Sequence, residues 1–515
     1  MRIGVYDRYW DTLGGGEQFA GGIAEALAKR HDVDAVGPLP IDKERTLERL
    51  GVDLTNVTTR IVGDHDSALS AASADYDLFV NCTYLSGTPS LARHGLYIVH
   101  FPGTGITWRS EQEARIGDAV GRARREPQLY WREGFHPAEH DGAQRWTNGF
   151  GGLLVRWPSG GRLEIDISGE HWPGELSAHC RVQIDDRIAF DGELPRDGAI
   201  TLTTDVPVGN PALMVVFKSD AFVPHEVSGV PDIRQLGTLI TGIRANGRTV
   251  TLGGSTSRFR ALALDRYAIL PTYGTVASNS EFTREWVKRW CGRESDVLYP
   301  PVHMQRRAPK DKTILSIGRF FDAESGHSKK QFELVQAFRK LVDSGVRDWT
   351  LHFIGGCDRR NREYAAAVRR EARGLPVAFH FNAPGEDLRD LVGKASIYWH
   401  GGGFGEDESR TPERFEHFGI SVVEAMSAGA VPVVFGAAGP REIVRSGTDG
   451  FHFRTLDELA ARTRQLIEEP ATLARMATSC AERASYFGFE RFEDRLNDLV
   501  DRILGGPAVR RSAGL

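Results

Sequence analysis

Cysteine is scarce in this chain. Five occur among 515 residues, at positions 82, 180, 291, 357 and 480, odd in number and never as a CxxC pair. That excludes a disulfide framework and a zinc site of the spaced-cysteine kind, and it suits a reducing compartment. Long apolar runs are lacking too. No window reaches the ~18 apolar residues of a spanning helix, and the greasiest stretch, Ala425 to Gly439, is broken by Ser427, Gly429 and Pro432. The start, MRIGVYDRYW, has no charged region followed by an apolar one, so it does not read as a signal peptide. The expected location is cytoplasmic, with peripheral contact at the inner membrane face left open. There is no excess of one charge: 64 Lys+Arg against 69 Asp+Glu leave a formal net charge of -5. Nucleic acid is therefore not an expected partner. Repeats and low-complexity tracts are absent. With 41% hydrophobic and 26% charged residues, wholesale disorder and coiled coil are excluded, and the length allows about three domains.

What is present is strand–helix alternation. Arg2–Tyr6 reads as a strand, Gly14-Gly15-Gly16 as a turn, and Glu17–Arg30 as a helix with apolar residues at helical spacing. Further strands are expected at Val33–Val36, Thr59–Val62, Leu78–Asn81 and Tyr97–Val99, which is the pattern of a parallel doubly wound sheet. A charged helix is expected at Glu111–Arg125. From Phe150 to Leu252 the helical period disappears. Leu163–Ile167 and Val182–Ile184 alternate strictly, Leu213–Phe217 is a buried-type run, and turns recur about every ten residues. That pattern implies an antiparallel sandwich. The α/β pattern returns at Tyr267–Ile269 and Gly274–Ser278. A Pro300-Pro301 linker leads to a second series, with strands at Ile314–Ile317, Thr350–Ile354, Val377–Phe381, Ile397–His400 and Val431–Phe435. Its expected helices are Lys330–Val342, Arg362–Arg373 and Ser421–Ala428. An amphipathic helix is expected at Phe487–Leu504.

The most informative segment is Glu416-His-Phe418-Gly419-Ile420-Ser-Val-Val-Glu424-Ala-Met-Ser-Ala-Gly-Ala-Val-Pro-Val-Val434. Two carboxylates flank a glycine where a helix begins. The free N–H groups of a helix start suit a diphosphate. Glu424, one turn in, is placed to accept from ribose hydroxyls, and Glu416, just before the helix, to meet a sugar. Trp399-His-Gly-Gly-Gly-Phe-Gly-Glu precedes this segment. Together these residues resemble the retaining GT-B glycosyltransferases of family 4, particularly the branch of mannosyltransferases that extend lipid-linked oligosaccharides. The resemblance is strong from about 270 to 460, weaker from 1 to 105, and absent from the intervening β region.

The resemblance implies an α/β GT-B fold, with two Rossmann-like domains facing across a cleft and an antiparallel β-sandwich inserted in the first. Residues 1–114 and 256–300 would form the acceptor-side domain and 115–255 the insert. Residues 301–485 would bind the nucleotide sugar, 486–505 would cross back as a helix, and 506–515 would fray. The implied activity is metal-independent, retaining transfer of a hexose from a nucleotide-diphosphate sugar to a glycan or lipid-linked acceptor, in cell-surface polysaccharide or glycolipid synthesis. No cofactor is implied beyond that co-substrate.

The implied site residues follow from the matching motifs. In Leu315-Ser-Ile-Gly-Arg319 and Gly326-His-Ser-Lys329-Lys330, Arg319 and Lys329 would stabilise the departing diphosphate, with Lys330 as the alternative lysine. Gly15 and Gly16 would border the donor diphosphate. His100, ending the strand Tyr97–Val99, would face the crevice and touch the donor sugar. Phe418, Gly419, Ile420 and Glu424 would line the donor, and Glu416 would contact its sugar. Glu442, in Gly436-Ala-Ala-Gly-Pro-Arg-Glu442, would border the same pocket. The triples Asp32–Asp34, Asp64–Asp66 and Asp75–Asp77 read as polar residues flanking strands rather than as metal ligands. Trp131, Trp146, Trp157 and Trp172 serve either a sandwich core or a carbohydrate surface. Two other readings stand beside transfer: a nucleotide-sugar epimerase of the same fold and a non-catalytic carbohydrate-binding subunit.

Overall fold

The computed structural model describes residues 1–103, 127–132, 134–174, 176–209, 212–253, 269–321 and 328–505. The expected helix Glu111–Arg125, the first residues of Tyr267–Ile269, the insert junctions near 115 and 255, the segment Gly326-His327 and the tail 506–515 lie outside them.

A seven-stranded, all-parallel sheet forms the first half. Its order is Asp296–Val297, Thr275–Ser278, His94–Val99, Leu78–Asn81, Arg2–Tyr6, Asp32–Gly37, Thr58–Ile61. The chain adds strands on one side of Arg2–Tyr6 and then crosses to the other. The switch point therefore lies between Arg2–Tyr6 and Leu78–Asn81, where α/β sheets bind ligands at their carboxyl ends. The second half repeats this plan with six parallel strands in the order Val377–Phe381, Thr350–Gly355, Asp311–Ile317, Ala395–His400, Val431–Phe435, Phe451–Phe453. Its switch point lies between Asp311–Ile317 and Ala395–His400.

Two antiparallel five-stranded sheets lie between residues 128 and 250. Leu163, Ile165, Ile167 and Ile243 of one sheet and Val182, Val215 and Phe217 of the other share one core around the fully buried Trp157. Trp146 and Trp172 belong to that core, and Trp131 packs on it beneath Arg145. The tryptophans are thus structural, because alternating strands need bulk on their inner faces. On the outer face, Phe150, Leu154, Met214 and Val216 pack with Leu91 of the first half. Arg181 donates to the carbonyls of Ala74 and Leu91, and Lys218 to that of Ala71.

The linker is not loose. Leu298 and Val302 are buried, and the Val302 amide donates to Phe487 O. A Cβ on Gly22 would lie 2.4 Å from Pro301 Cγ, so glycine lets the linker pack against the first helix, Gly15–Ala28. The last helix, Phe489–Ile503, places Phe492, Leu496, Leu499 and Val500 on one face by their three- and four-residue spacing. That face enters the core of the first half, and each such side chain contributes roughly 1.5–3 kcal/mol of burial. Among the described residues no helix is long and apolar enough to cross a membrane.

Candidate active site

The second sheet's switch point gathers most of the expected residues. Glu416 follows a short turn at Pro412–Arg414, and its Oε2 accepts from Lys329 Nζ and from His400 Nε2, the latter at 2.9 Å. His400 ends the strand Ala395–His400 and is almost fully buried. Its Nε2 carries the proton, because a carboxylate can only accept. Sequence reading missed His400, although the rule that drew attention to His100, a histidine at the carboxyl end of a parallel strand, applies to both.

The neighbouring lysines diverge. Lys330 caps the helix Gln331–Asp343 in the left-handed region (φ 59°), which sends successive side chains to different partners. Its Nζ donates to Glu406 at 2.7 Å, and Arg414 approaches the other oxygen of Glu406 at 3.4 Å. Lys330 is buried and Glu406 is largely so, their side chains 7% and 13% exposed. Lys329 is therefore the lysine that meets Glu416, and Lys330 is held by Glu406, which sequence reading did not single out. Arg319, one residue past Gly318 at the end of the adjacent strand, is exposed and has no ion pair among the described residues.

The helix Ile420–Ser427 begins at Gly419, whose φ of 116° is strained for any other residue. A Cβ there would also lie 3.2 Å from Val422 Cγ2. Glycine is required on both counts. Glu424 is deeply enclosed though not sealed from solvent, and burial raises it to about 7. Its carboxylate makes no hydrogen bond among the described residues. A buried carboxylate without a partner is costly, and ligand hydroxyls would satisfy it. Phe418 requires a correction: its side chain is buried against Tyr299 and Phe487, so it anchors the segment from below and only its backbone can face a ligand.

The first half meets this site through the glycine start of its first helix; in place of the expected Gly14–Gly16 turn, Gly14 caps the helix and Gly15 and Gly16 are its first residues. A Cβ on Gly15 would lie 3.1 Å from Ile420 Cδ1, one on Gly14 3.3 Å from Arg319 Nη2, and one on Gly16 3.8 Å from His100 Cε1. This helix start thus lies against Arg319 and Ile420 of the second half and beside His100 of its own half. Glu17 folds back to accept from Thr12 Oγ1 and the Gly14 amide, which fixes the helix start. His100 donates from Nε2 to Cys82 O at 2.7 Å, and burial lowers its pKa, favouring the neutral ring. Asp7, unmarked in the sequence, lies buried below the helix start. Burial, and then Glu17, push it up to about 8.

Glu442 departs from the expected pocket border. Its carboxylate accepts from the amides of Glu281 and Phe282, at 3.0 and 2.7 Å, and from Tyr299 Oη. It thereby caps the helix Glu281–Cys291 of the first half, a favourable place for an anion. Beside it, Phe101 and Phe282 stack on His417, the Phe101 ring 4.0 Å away, so aromatic packing joins the two halves. Of the Asp-x-Asp triples, Asp34 accepts from Arg2 and Tyr76, Asp64 pairs with Arg8, Asp66 accepts from Thr88, and Asp75 pairs with Arg60. Among the described residues no group of three His, Cys, Asp or Glu is placed to hold a metal ion.

The family model for glycosyl transferases group 1 matches residues 303–484. The GDP-Man:Man(3)GlcNAc(2)-PP-Dol alpha-1,2-mannosyltransferase of Dictyostelium discoideum is 26% identical over 242 residues, covering 43% of this chain and 46% of that protein. Its namesake in Caenorhabditis elegans is 25% identical over 258 residues, covering 45% and 52%. The matches thus span about half the length of these relatives. Two solved structures align over nearly the whole chain. Anabaena Alr3699/HepE in complex with UDP has a TM-score of 0.53 at 13% identity, covering 98% of this chain and 100% of that one. Sucrose-phosphate synthase from Thermosynechococcus elongatus has a TM-score of 0.53 at 14% identity, covering 98% and 99%. Residues 303–484 therefore form a glycosyl transferases group 1 domain, set in a chain with the GT-B fold.

Proposed function

We propose that this chain is a retaining hexosyltransferase. It would take a hexose from a nucleotide-diphosphate sugar and pass it to a glycan or lipid-linked acceptor without a metal. The observation that carries this reading is the Lys329–Glu416 pair beside the Gly419 helix start, with Arg319 and Ile420 meeting the Gly14–Gly15 helix start of the opposite half. The leaving diphosphate gains negative charge as the glycosidic bond breaks. Arg319, exposed and without an ion pair among the described residues, and Lys329, already held in place by Glu416, supply fixed positive charge at that point. Glu424 accepts the ribose hydroxyls. Glu416, hydrogen-bonded to His400, contacts the sugar. A phosphate oxygen of the leaving group serves as base, so the acceptor hydroxyl attacks the face from which the diphosphate departs. The limits 1–114 with 256–300, 115–255 and 301–485 are part of the same proposal.

The relatives named above use GDP-mannose by name, and the Anabaena structure holds UDP. GDP-mannose is accordingly the first donor to test and UDP-glucose the second. Thermal shifts with GDP, UDP and both sugars report binding, since a ligand of the native state raises its stability. Proton NMR of the sugar released by slow donor hydrolysis reports the anomer. We expect a shift with at least one nucleotide and initial release of the α anomer from an α-linked donor. Initial release of the β anomer would overturn retention, and no shift with any of the four would overturn the donor class.

A further inference from the structure

Beside the donor site the two halves share a small core of their own. Phe101, Phe282 and Trp286 of the first half are buried together with Phe415, Ala437 and Ala438 of the second. The His417 ring stacks here on Phe101, 4.0 Å away and nearly parallel at 8°, and Phe282 lies 6.2 Å from it. Polar contacts flank this core. The short helix Ala438–Ile443 carries Glu442, whose carboxylate accepts from the Glu281 and Phe282 amides at the start of Glu281–Cys291. At the other end of the short helix, the Gly439 amide donates to Glu416 O at 2.9 Å. On the first half, Thr283 Oγ1 of the capped helix donates to His100 O at 3.3 Å. An unbroken run of contacts thus leads from the backbone of His100, through Thr283 and Glu442, to the backbone of Glu416.

We propose that Glu442 and the Phe101–His417 stack form a fixed strut, which holds the two halves at one spacing with or without a nucleotide and so positions His100 and Glu416 relative to each other at the donor sugar. The inference rests on the transferase reading above, which gives those two residues the sugar. Halves of a chain move apart readily when their interface is small and polar. Here separation would expose Phe101, Phe282 and Phe415 to water and part a buried carboxylate from two amides. Glu442 is itself anchored, because Arg483 donates to its carbonyl at 2.9 Å. Transfer needs the reacting atoms within about 3–3.5 Å of each other, so a small change in spacing slows it steeply. The strut is anchored one residue from each sugar contact, at Phe101 beside His100 and at His417 beside Glu416. Phe101, His417 and Glu442 therefore act through those neighbours, as positioning residues.

The test combines small-angle X-ray scattering of the full chain, with and without GDP and UDP, with calorimetry for both nucleotides and turnover by hydrolysis of GDP-mannose and UDP-glucose. The variants are Glu442→Ala, the conservative Glu442→Gln, His417→Leu, which replaces the stacked ring by an apolar side chain, and the double Glu442→Ala/His417→Leu. We expect the parent to keep one radius of gyration with and without nucleotide, and the double variant to be larger without one. Glu442→Ala and His417→Leu should each lower turnover about tenfold or more while nucleotide affinity stays as in the parent. Glu442→Gln, which keeps an acceptor oxygen toward the amides, should recover most of that loss. A parent that contracts on binding nucleotide overturns the fixed spacing, and so does a folded double variant with the parent's radius. Unchanged turnover in the single variants, or equal losses in Glu442→Ala and Glu442→Gln, overturns the positioning role. If Glu442→Ala does not fold, His417→Leu and the parent's own scattering decide both points. Failure of the transferase reading looks different: neither nucleotide binds the parent, while the radii of parent and double variant still differ.

Discussion

Around the second sheet's switch point, Lys329 faces Glu416, Lys330 faces Glu406, and Arg319 stands exposed. Around the first sheet's, Asp7 is raised toward its neutral form, His100 is lowered toward its neutral form, and Glu17 accepts only neutral donors. The same doubly wound plan thus holds its lysines in ion pairs in the second half and shifts Asp7 and His100 toward their neutral forms in the first, a shift that Glu424 of the second half shares. A charged group tolerates burial when paired and otherwise shifts toward its neutral form.

The largest expected effect separates the two lysines. Lys329→Ala or Arg319→Ala should lower transfer about 100-fold, as loss of one electrostatic donor at a developing anion does. The thermal midpoint should stay close to the parent's, and EDTA should leave the parent fully active. Lys330→Ala should instead lower the midpoint, because it removes one cation from a buried pair. Equal losses of activity at matched stability for both lysines would erase the distinction.

A smaller effect distinguishes the two glutamates. Glu424→Ala should weaken binding of the free nucleoside diphosphate about tenfold, since ribose contacts form in ground and transition states alike. Glu416→Ala should spare that affinity or improve it, because it frees Lys329, while turnover falls. Calorimetry with GDP or UDP decides this, and parallel losses would merge the two roles.

The smallest effect tests the first half. Asp7 has a pKa near 8 in the fold against an ordinary 3.8, so the native state keeps a proton that the unfolded chain releases. Its share of stability is present below pH ~4 and is lost as pH rises toward 8. Asp7→Asn should therefore match the parent at pH 4 and exceed it at pH 8.5, by roughly 4 °C or more. A constant gap across that range would show that Asp7 does not titrate there.

Much of this was legible because it is local. Glu416, Gly419 and Glu424 sit around one helix start, and the Phe418-Gly419 step with the continuation from Glu424 to Val434 marks it in the sequence. Most strands of both parallel sheets announce themselves as short apolar runs, while the short edge strands Asp296–Val297 and Phe451–Phe453 do not. What was hidden depends on distance or on a single dihedral angle. Glu406 meets Lys330 across 76 residues and Glu442 caps a helix 160 residues earlier, contacts that no periodicity encodes. The sequence already favoured Lys329 with Lys330 as the alternative, but the left-handed backbone that turns Lys330 away to Glu406 is not something a lysine advertises. Phe418 looked like a pocket wall because it adjoins Gly419, yet its ring is drawn into the apolar space beside Phe487.

The closing helix has a consequence for how the chain matures. Phe492, Leu496, Leu499 and Val500 complete a core whose other members begin at Ile3. During synthesis the strands of the first half emerge before this helix, so their hydrophobic surface stays partly uncovered until Val500 has left the ribosome. The second half can close in the meantime from its own strands and helices. The half that is made first is finished last, and a chain stopped short of residue 489 would keep an apolar seam on its oldest domain.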